Sequence, residues 1–423
     1  MKRHASQFQG KTLLVIGMGV SGRSASSFLL SQGAKVIAYD KNMDSLKEDQ
    51  SIKSLKDQGL EFFDTNPLKG FDAIVVSPGV PFNTPIYQEA LQSGIEIIGE
   101  VELALRHISS HCVGVTGTNG KTTVTLLIEH VLNKSGISAK AVGNVGVPLT
   151  SMIDSPGEVF VIELSSYQLE TMHSKVLDAA VLLNITPDHL ERYGNIEEYA
   201  KAKARIFECV KPSGRSFISE KCDLEWKDLF ESKDLFIYDR DKSVLKQIND
   251  KSSHDYENLL AAYTICQQWG VNAEQFALAQ ASFVKPPHRI EFVGNIRGVN
   301  FIDDSKGTNI DAVIKAVESV NGPIILIAGG VDKGFSYSSW IKPFKGKVRL
   351  ICVIGEASNK MQAELSSSFP VERFSSLEEA VHFSMKNASI GNTVLLSPGC
   401  SSYDMFTDYT HRGREFQRIV KEL

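Results

Sequence analysis

The run from Gly114 to Thr123, GVTGTNGKTT, combines three glycines, a lysine and threonines at a spacing suited to a polyphosphate. Small residues let the backbone N–H groups of Gly117, Thr118, Asn119, Gly120 and Lys121 converge on one anion. The Lys121 ammonium can then neutralise β and γ oxygens, and the Thr122 hydroxyl, with Thr123 behind it, can serve Mg²⁺. Such a loop needs a strand before it and a helix after it. HCVGVT supplies the strand, and Val124, Leu127, Ile128, Val131 and Leu132 follow the helical i, i+3, i+4, i+7, i+8 pattern, with Gly136 as a stop. Val115 stands where the strict nucleotide-loop pattern has glycine, which points to a variant loop and away from a generic GTPase. The bland alternative is a glycine-rich turn that binds nothing.

A second glycine pattern, GMGVSG with Gly17, Gly19 and Gly22, follows the first apolar run, and Asp40 ends the next one. This is the arrangement that places a pyrophosphate at a helix N-terminus and an acid on a ribose, as in nicotinamide dinucleotide sites. A UDP-sugar offers the same two groups. Ser77 to Val80 (SPGV) and Gly143 to Gly146 (GNVG) are further turns for that site. A nicotinamide cofactor, another nucleotide and plain packing all fit these residues.

Three other residues could serve a metal beside the phosphate loop. Glu163 ends the run EVFVIEL, where open α/β sheets bind ligands, although it could equally cap the following helix. Asp188 and His189 lie just past AAVLLNI, with His189 a ligand or a structural imidazole. In YAKAKARIF, Tyr199, Lys203 and Phe207 share one helical face while Lys201 points elsewhere. Lys203 is partly buried on this reading, but spacing alone favours an ordinary solvated lysine.

The elements that must position these groups fall into three series. TLLVI, KVIAYD and FDAIVVS, with a helical stretch from Ser24 to Leu30 between the first two, predict a parallel doubly wound sheet. HCVGVT, AKAVG, EVFVIEL and DAAVLLNI begin a second series after Gly99. The polar stretch from Asp239 to Asn258 reads as an exposed excursion, and the break KPPH at Lys285 to His288 opens a third series, IILIAGG, VRLICVIG and NTVLLSPG. The expectation is an α/β chain of three domains. Residues 1–98 would be Rossmann-like, 99–285 a P-loop mononucleotide-binding domain, and 286–423 Rossmann-like again.

Composition bounds the rest. The 423 residues exceed one hydrophobic core, and 42% hydrophobic with 22% charged residues is ordinary globular usage. A net charge of −5 argues against a general grip on nucleic acid. Six scattered cysteines without a CxxC pair suggest reduced thiols, and no apolar run approaches a signal h-region or the roughly 18 residues of a membrane span. The chain is expected to be a cytoplasmic enzyme, monomeric, with neither membrane nor nucleic-acid partners.

Eight motifs in order, GTNGKTT, IELSSYQLE, NITPDHLERY, SHDYENLLAA, HRIEFV, DDSKGTN, GGVDKG and LSPGCSSYDMF, resemble the Mur ligases of peptidoglycan synthesis, and the resemblance covers nearly the whole chain. GMGVSG, ELSSYQLE and Lys203 together look like the members that add D-glutamate to UDP-N-acetylmuramoyl-L-alanine. The resemblance implies UDP-substrate binding through Gly19, Val20, Asp40, Ser77, Gly79 and Asn144. It implies ATP on Gly117 to Thr123 together with Asn258, Arg289, Asp304 and Lys306. Two Mg²⁺ ions would be held by Thr122, Glu163, His189 and Lys203, the lysine as a carbamate whose formation needs a neutral amine, which burial favours. Thr308, Lys333, Ser402 and Tyr403 would take the D-glutamate carboxylates. The chain has His254-Asp255 where the family often has His-Asn, at an adenine-side position.

By this resemblance, Lys121, Glu163, His189 and Lys203 form the catalytic set, the substrate carboxylate takes the γ-phosphate of ATP to give an acyl phosphate, and the third domain closes so that the amine attacks it. A nicotinamide oxidoreductase would leave GTNGKTT unexplained. A regulatory ATP-binding protein would need only the loop, and folate polyglutamate ligases lack the GMGVSG start.

Overall fold

The computed structural model describes residues 7–46, 48–63, 68–155, 159–231, 233–239 and 256–423. His254 and Asp255 lie outside the described residues, as does most of the expected excursion. Its last residues, Tyr256 to Asn258, are not an excursion: they open the helix Tyr256–Gln267, whose buried Leu259, Leu260, Ala261 and Ala262 hold it to the core.

The first sheet contains β1 (Thr12–Ile16), β2 (Lys35–Tyr39), β3 (Glu61–Phe62), β4 (Ala73–Val76) and β5 (Ile97–Gly99). All pairs are parallel in the order β3-β2-β1-β4-β5. Alternation along β1 sends Leu13 and Val15 into one apolar layer and Leu14 and Ile16 into the other, so both faces are covered. The second sheet contains β6 (His111–Thr116), β7 (Ala139–Gly143), β8 (Val159–Glu163), β9 (Leu177–Leu182), β10 (Val210–Ile218) and β11 (Phe236–Ile237). These too are all parallel, in the order β11-β10-β9-β6-β8-β7.

The third sheet contains β12 (Glu291–Ile296), β13 (Val299–Asp303), β14 (Ile324–Gly329), β15 (Val348–Ile354), β16 (Val371–Arg373) and β17 (Thr393–Leu396), ordered β12-β13-β17-β14-β15-β16. Here β12 pairs antiparallel with β13 through a turn at Arg297 and Gly298, both with positive φ, while the other pairs are parallel. That hairpin is absent from the sequence reading of the third series. Leu326 and Ala328 of β14 face Trp340 and Phe344, whereas Ile325 and Ile327 face Phe416 and Ile419.

Contacts divide the chain into two compact units. The first two sheets belong to one of them. The third sheet belongs to the other, together with Thr186–Ile196, the segment that carries Asp188 and His189. Within the first unit, the helix Glu100–Leu105 after β5 carries two buried carboxylates that tie down distant backbone. Glu100 accepts hydrogen bonds from the Thr150 N–H and hydroxyl, and Glu102 from the N–H groups of His173 and Ser174. All six cysteines are free and buried, and no helix among the described residues is long and apolar enough to cross a membrane.

Candidate active site

In each sheet the chemistry-bearing residues sit past the carboxyl ends of central strands, at the points where strand order reverses. Past β6, the loop Gly117–Gly120 turns into the helix Lys121–Lys134, whose buried Val124, Leu127, Ile128, Val131 and Leu132 are the stripe expected from spacing. Gly120 caps that helix with φ +86, and a Cβ there would run into Asn258 Oδ1, so glycine is required both by conformation and by the approach of Asn258. Asn184, which the sequence reading passed over, shapes the other side: its Oδ1 accepts the Asn119 N–H at 2.9 Å and its Nδ2 donates to the Asn119 carbonyl at 3.2 Å.

Two lysines converge on this loop. Lys121 Nζ donates to the carbonyls of Gly117 (2.8 Å) and Thr118 (2.9 Å), and Lys203 Nζ also donates to Gly117 O at 2.8 Å. Lys203 is 1% exposed and lies 4.6 Å from the centroid of the Tyr199 ring, while the Tyr199 hydroxyl meets Thr118 Oγ1. The solvated reading favoured by spacing is therefore corrected: tertiary contacts bury Lys203, and its neighbour Lys201 is the exposed lysine, paired with Glu198.

Glu163, at the end of β8, is 1% exposed. It caps no helix, because Ser165 and Gln168 form the capping box of the helix Ser166–Leu169. Its Oε1 accepts from Asn144 Nδ2 at 2.8 Å, whereas Oε2 is buried with no hydrogen-bond partner. Buried carboxylate oxygens are nearly always satisfied, so this orphan, on the strand paired with β6, which leads into the loop before Thr122, suits a hard divalent cation. Asn144, grouped from sequence with the UDP-substrate residues, is thus tied to Glu163 through both its side chain and its N–H.

Past β1 and β4 the turn is built around Gly17. Ser77 Oγ donates to Gly17 O at 2.7 Å, and a Cβ on Gly22 would strike the same carbonyl. Asp40 Oδ2 accepts the Met18 N–H and its Oδ1 the Asn42 N–H, so the carboxylate first of all holds its own turn. Gly19, Val20 and Gly79 are exposed.

In the second unit, Lys333 Nζ forms a 2.8 Å ion pair with Asp188 Oδ1, both side chains nearly buried. His189, with φ +54, turns its Nδ1 toward Glu191 Oε1 at 3.4 Å; that hydrogen bond holds the Glu191 carboxyl below its usual range. Past β13, burial pushes the Asp304 carboxyl up to about 7, against the opposing hydrogen bond from Ser397 Oγ and the field of Arg289. Lys306 Nζ lies 3.8 Å from the Tyr409 ring centroid. Ser402 is buried, Thr308 half-buried, and Tyr403 is 75% exposed.

Behind these residues stands a network whose His288, Glu291 and Asp303 lie in the motifs HRIEFV and DDSKGTN but were given no role from sequence. His288 Nδ1 meets Asp303 Oδ2 at 2.6 Å, and Gln417 bridges Asp303 and Glu291. The Asp303 carboxylate raises the His288 pKa. Buried Arg412 donates to Ser305 Oγ, Ser305 O and Cys400 O. The backbone that presents Asp304 and Lys306 is fixed by these charges.

Comparison with known proteins bears on the whole chain. The Mur ligase MurD-like N-terminal domain matches residues 11–99, the Mur ligase middle domain 115–268, and the Mur ligase glutamate ligase domain 288–400. A UDP-N-acetylmuramoylalanine–D-glutamate ligase of Protochlamydia amoebophila is 49% identical, with 98% of each chain covered. A ligase of the same name from Caldanaerobacter subterraneus is 37% identical over 99% of each. Among solved structures, the UDP-N-acetylmuramate–alanine ligase MurC of Thermotoga maritima superposes with a TM-score of 0.58 at 18% identity, covering 97% of this chain and 99% of that one. MurF ligase of the same organism, in complex with ADP, gives 0.58 at 15% identity, covering 99% and 97%. On the strength of the full-length relatives and the three domain matches, the chain belongs to the Mur ligase family.

Proposed function

We propose that this chain joins D-glutamate to UDP-N-acetylmuramoyl-L-alanine at the expense of ATP, by way of an acyl phosphate, in the cytoplasmic supply of peptidoglycan precursors. The observation that carries the reading is the convergence of Lys121 and Lys203 on the Gly117 carbonyl beside a glycine-built helix N-terminus. The Lys121 ammonium and a row of N–H donors make a site for a highly charged anion.

In this reading residues 1–98 hold the UDP-substrate on Gly19, Val20, Asp40, Ser77 and Gly79, with Asn144 reaching from the next domain. Residues 99–285 hold ATP on Gly117 to Thr123 and Asn258, and residues 286–423 add Arg289, Asp304 and Lys306. Thr308, Lys333, Ser402 and Tyr403 face the D-glutamate carboxylates. Thr122, the unpartnered Glu163 oxygen, His189 and Lys203 as a carbamate would hold two Mg²⁺ ions, which supply charge neutralisation at the phosphates. Lys121 neutralises the γ-phosphate as the substrate carboxylate attacks it, which gives the acyl phosphate. The amine of D-glutamate then attacks the carbonyl carbon and phosphate leaves.

Phosphate release from ATP in the presence of UDP-N-acetylmuramoyl-L-alanine and a panel of amino acids of both chiralities tests this. D-Glutamate is expected to exceed L-glutamate and L-alanine by on the order of a hundredfold or more in kcat/KM, because an amine lacking the side-chain acid leaves a buried cation unpaired. Equal turnover with L-alanine overturns the assignment.

A further inference from the structure

The ion pair between Lys333 and Asp188 has a shape that matches one half of an amino acid zwitterion. The two residues are 145 positions apart in sequence, their side chains are only 11% and 9% exposed, and Nζ lies 2.8 Å from Oδ1. Glu191 lies within the field of the same ammonium. Stripping either partner from a buried pair leaves an uncompensated charge, which is strongly unfavourable. A ligand that brings only a carboxylate to Lys333 costs Asp188 its closest cation, leaving the His189 N–H at 3.0 Å and the His189 ring at 3.7 Å among its contacts. A ligand that carries a carboxylate and an ammonium on one carbon, as an α-amino acid does, replaces both at once.

We propose that Asp188 is the specificity-determining anchor for the ammonium group of the incoming amino acid, exchanging Lys333 for the substrate's own cation as Lys333 takes the substrate's carboxylate. This deepens, and rests on, the reading of Lys333 as a carboxylate-binding residue. The exchange makes the site selective for α-amino acids over dicarboxylates of the same length. It also presents the amine at the residue next to His189, and so fixes where the nucleophile enters.

Binding of D-glutamate and of glutarate, which keeps both carboxylates and lacks the amine, separates the possibilities. Each is measured as competition against D-glutamate turnover or by calorimetry with the full chain, ATP analogue and UDP-substrate present. The wild-type chain is expected to prefer D-glutamate by on the order of a hundredfold. Asp188→Asn, which keeps the shape and removes the charge, is expected to weaken D-glutamate by a similar factor while leaving glutarate unchanged or tighter. Lys333→Ala is expected to weaken both ligands.

Equal weakening of D-glutamate and glutarate by Asp188→Asn would overturn the proposal, since Asp188 would then only orient Lys333. A raised KM for ATP with D-glutamate affinity intact would overturn it too. If Lys333→Ala affects neither ligand, the carboxylate reading beneath it is the one that fails. Should Asp188→Asn not fold, the wild-type comparison decides alone: equal affinity for D-glutamate and glutarate contradicts the exchange.

Discussion

The phosphate loop of the second sheet and the loops of the third sheet treat charge in opposite ways. Around the first, one carboxylate oxygen of Glu163 is buried without a hydrogen-bond partner. Around the second, charged groups meet groups of their own unit: Lys333 meets Asp188, Asp304 meets Ser397, and His288 meets Asp303. A site with open valences draws its ligand in by supplying what the ligand's charge lacks. A site whose charges are already satisfied admits only ligands that replace each internal partner, which makes it selective. On the proposed assignment, capture of the nucleotide falls to the first kind of site and choice among amines to the second.

The largest effect should come from breaking the open site. Lys121→Ala is expected to lower phosphate release by on the order of a thousandfold while UDP-substrate binding stays nearly intact, because the two ligands use different loops. Titration of both ligands against the variant checks this, and loss of UDP-substrate affinity with phosphate release unchanged would contradict it. Next comes Lys203→Arg. Arginine keeps the positive charge but cannot become a carbamate, since it stays protonated and takes up no CO₂. Ligase activity is expected to fall by on the order of a hundredfold in a chain that still folds, and formate or acetate should partly restore Lys203→Ala but not Lys203→Arg. Near-normal activity of Lys203→Arg returns the residue to a structural role.

The closed site gives a smaller effect, in stability. Burial raises the folded Asp304 carboxyl from 3.8 to about 7, so between those pH values the folded chain holds a proton that the unfolded chain has released. Its contribution is therefore full below the unfolded value and is lost as pH rises through the folded one. Asp304→Asn, which never ionises, should gain stability over the wild type on going from pH 5 to pH 8, by no more than about 4 kcal/mol. Thermal unfolding at both pH values reads it, and a gap independent of pH would show that Asp304 does not titrate in this range. The smallest effect is expected for Lys201→Ala, which removes an exposed pair with Glu198 two residues from Lys203 and should leave thermal unfolding and ligase activity unaltered.

The contrast between Lys201 and Lys203 also marks how far sequence could be read. The phosphate loop was legible because its geometry is local: glycines, a helical apolar stripe and the lysine all lie within one strand-loop-helix unit. The parallel character of the first sheet was legible because its apolar runs alternate with a helical stretch along the chain. Lys203 was not, because helical spacing gives a face without saying what covers it, and the cover comes from Gly117, 86 positions away. The β12–β13 hairpin was not legible because β12 is half exposed and the turn places Arg297, a residue without turn preference, at positive φ. Tyr409 beneath Lys306 and the partnership of Asp188 with Lys333 are contacts between distant segments, which no local pattern encodes.

The central claim is that the substrate's carboxylate, not water, receives the γ-phosphate. UDP-N-acetylmuramoyl-L-alanine labelled with ¹⁸O at both carboxylate oxygens, turned over with ATP and D-glutamate, tests it by mass analysis of the released phosphate. Attack of the carboxylate on phosphorus followed by amine attack on carbon must carry one labelled oxygen into phosphate at each turnover and leave the other in the amide. Phosphate free of label, formed at the same rate as the amide, would contradict the account.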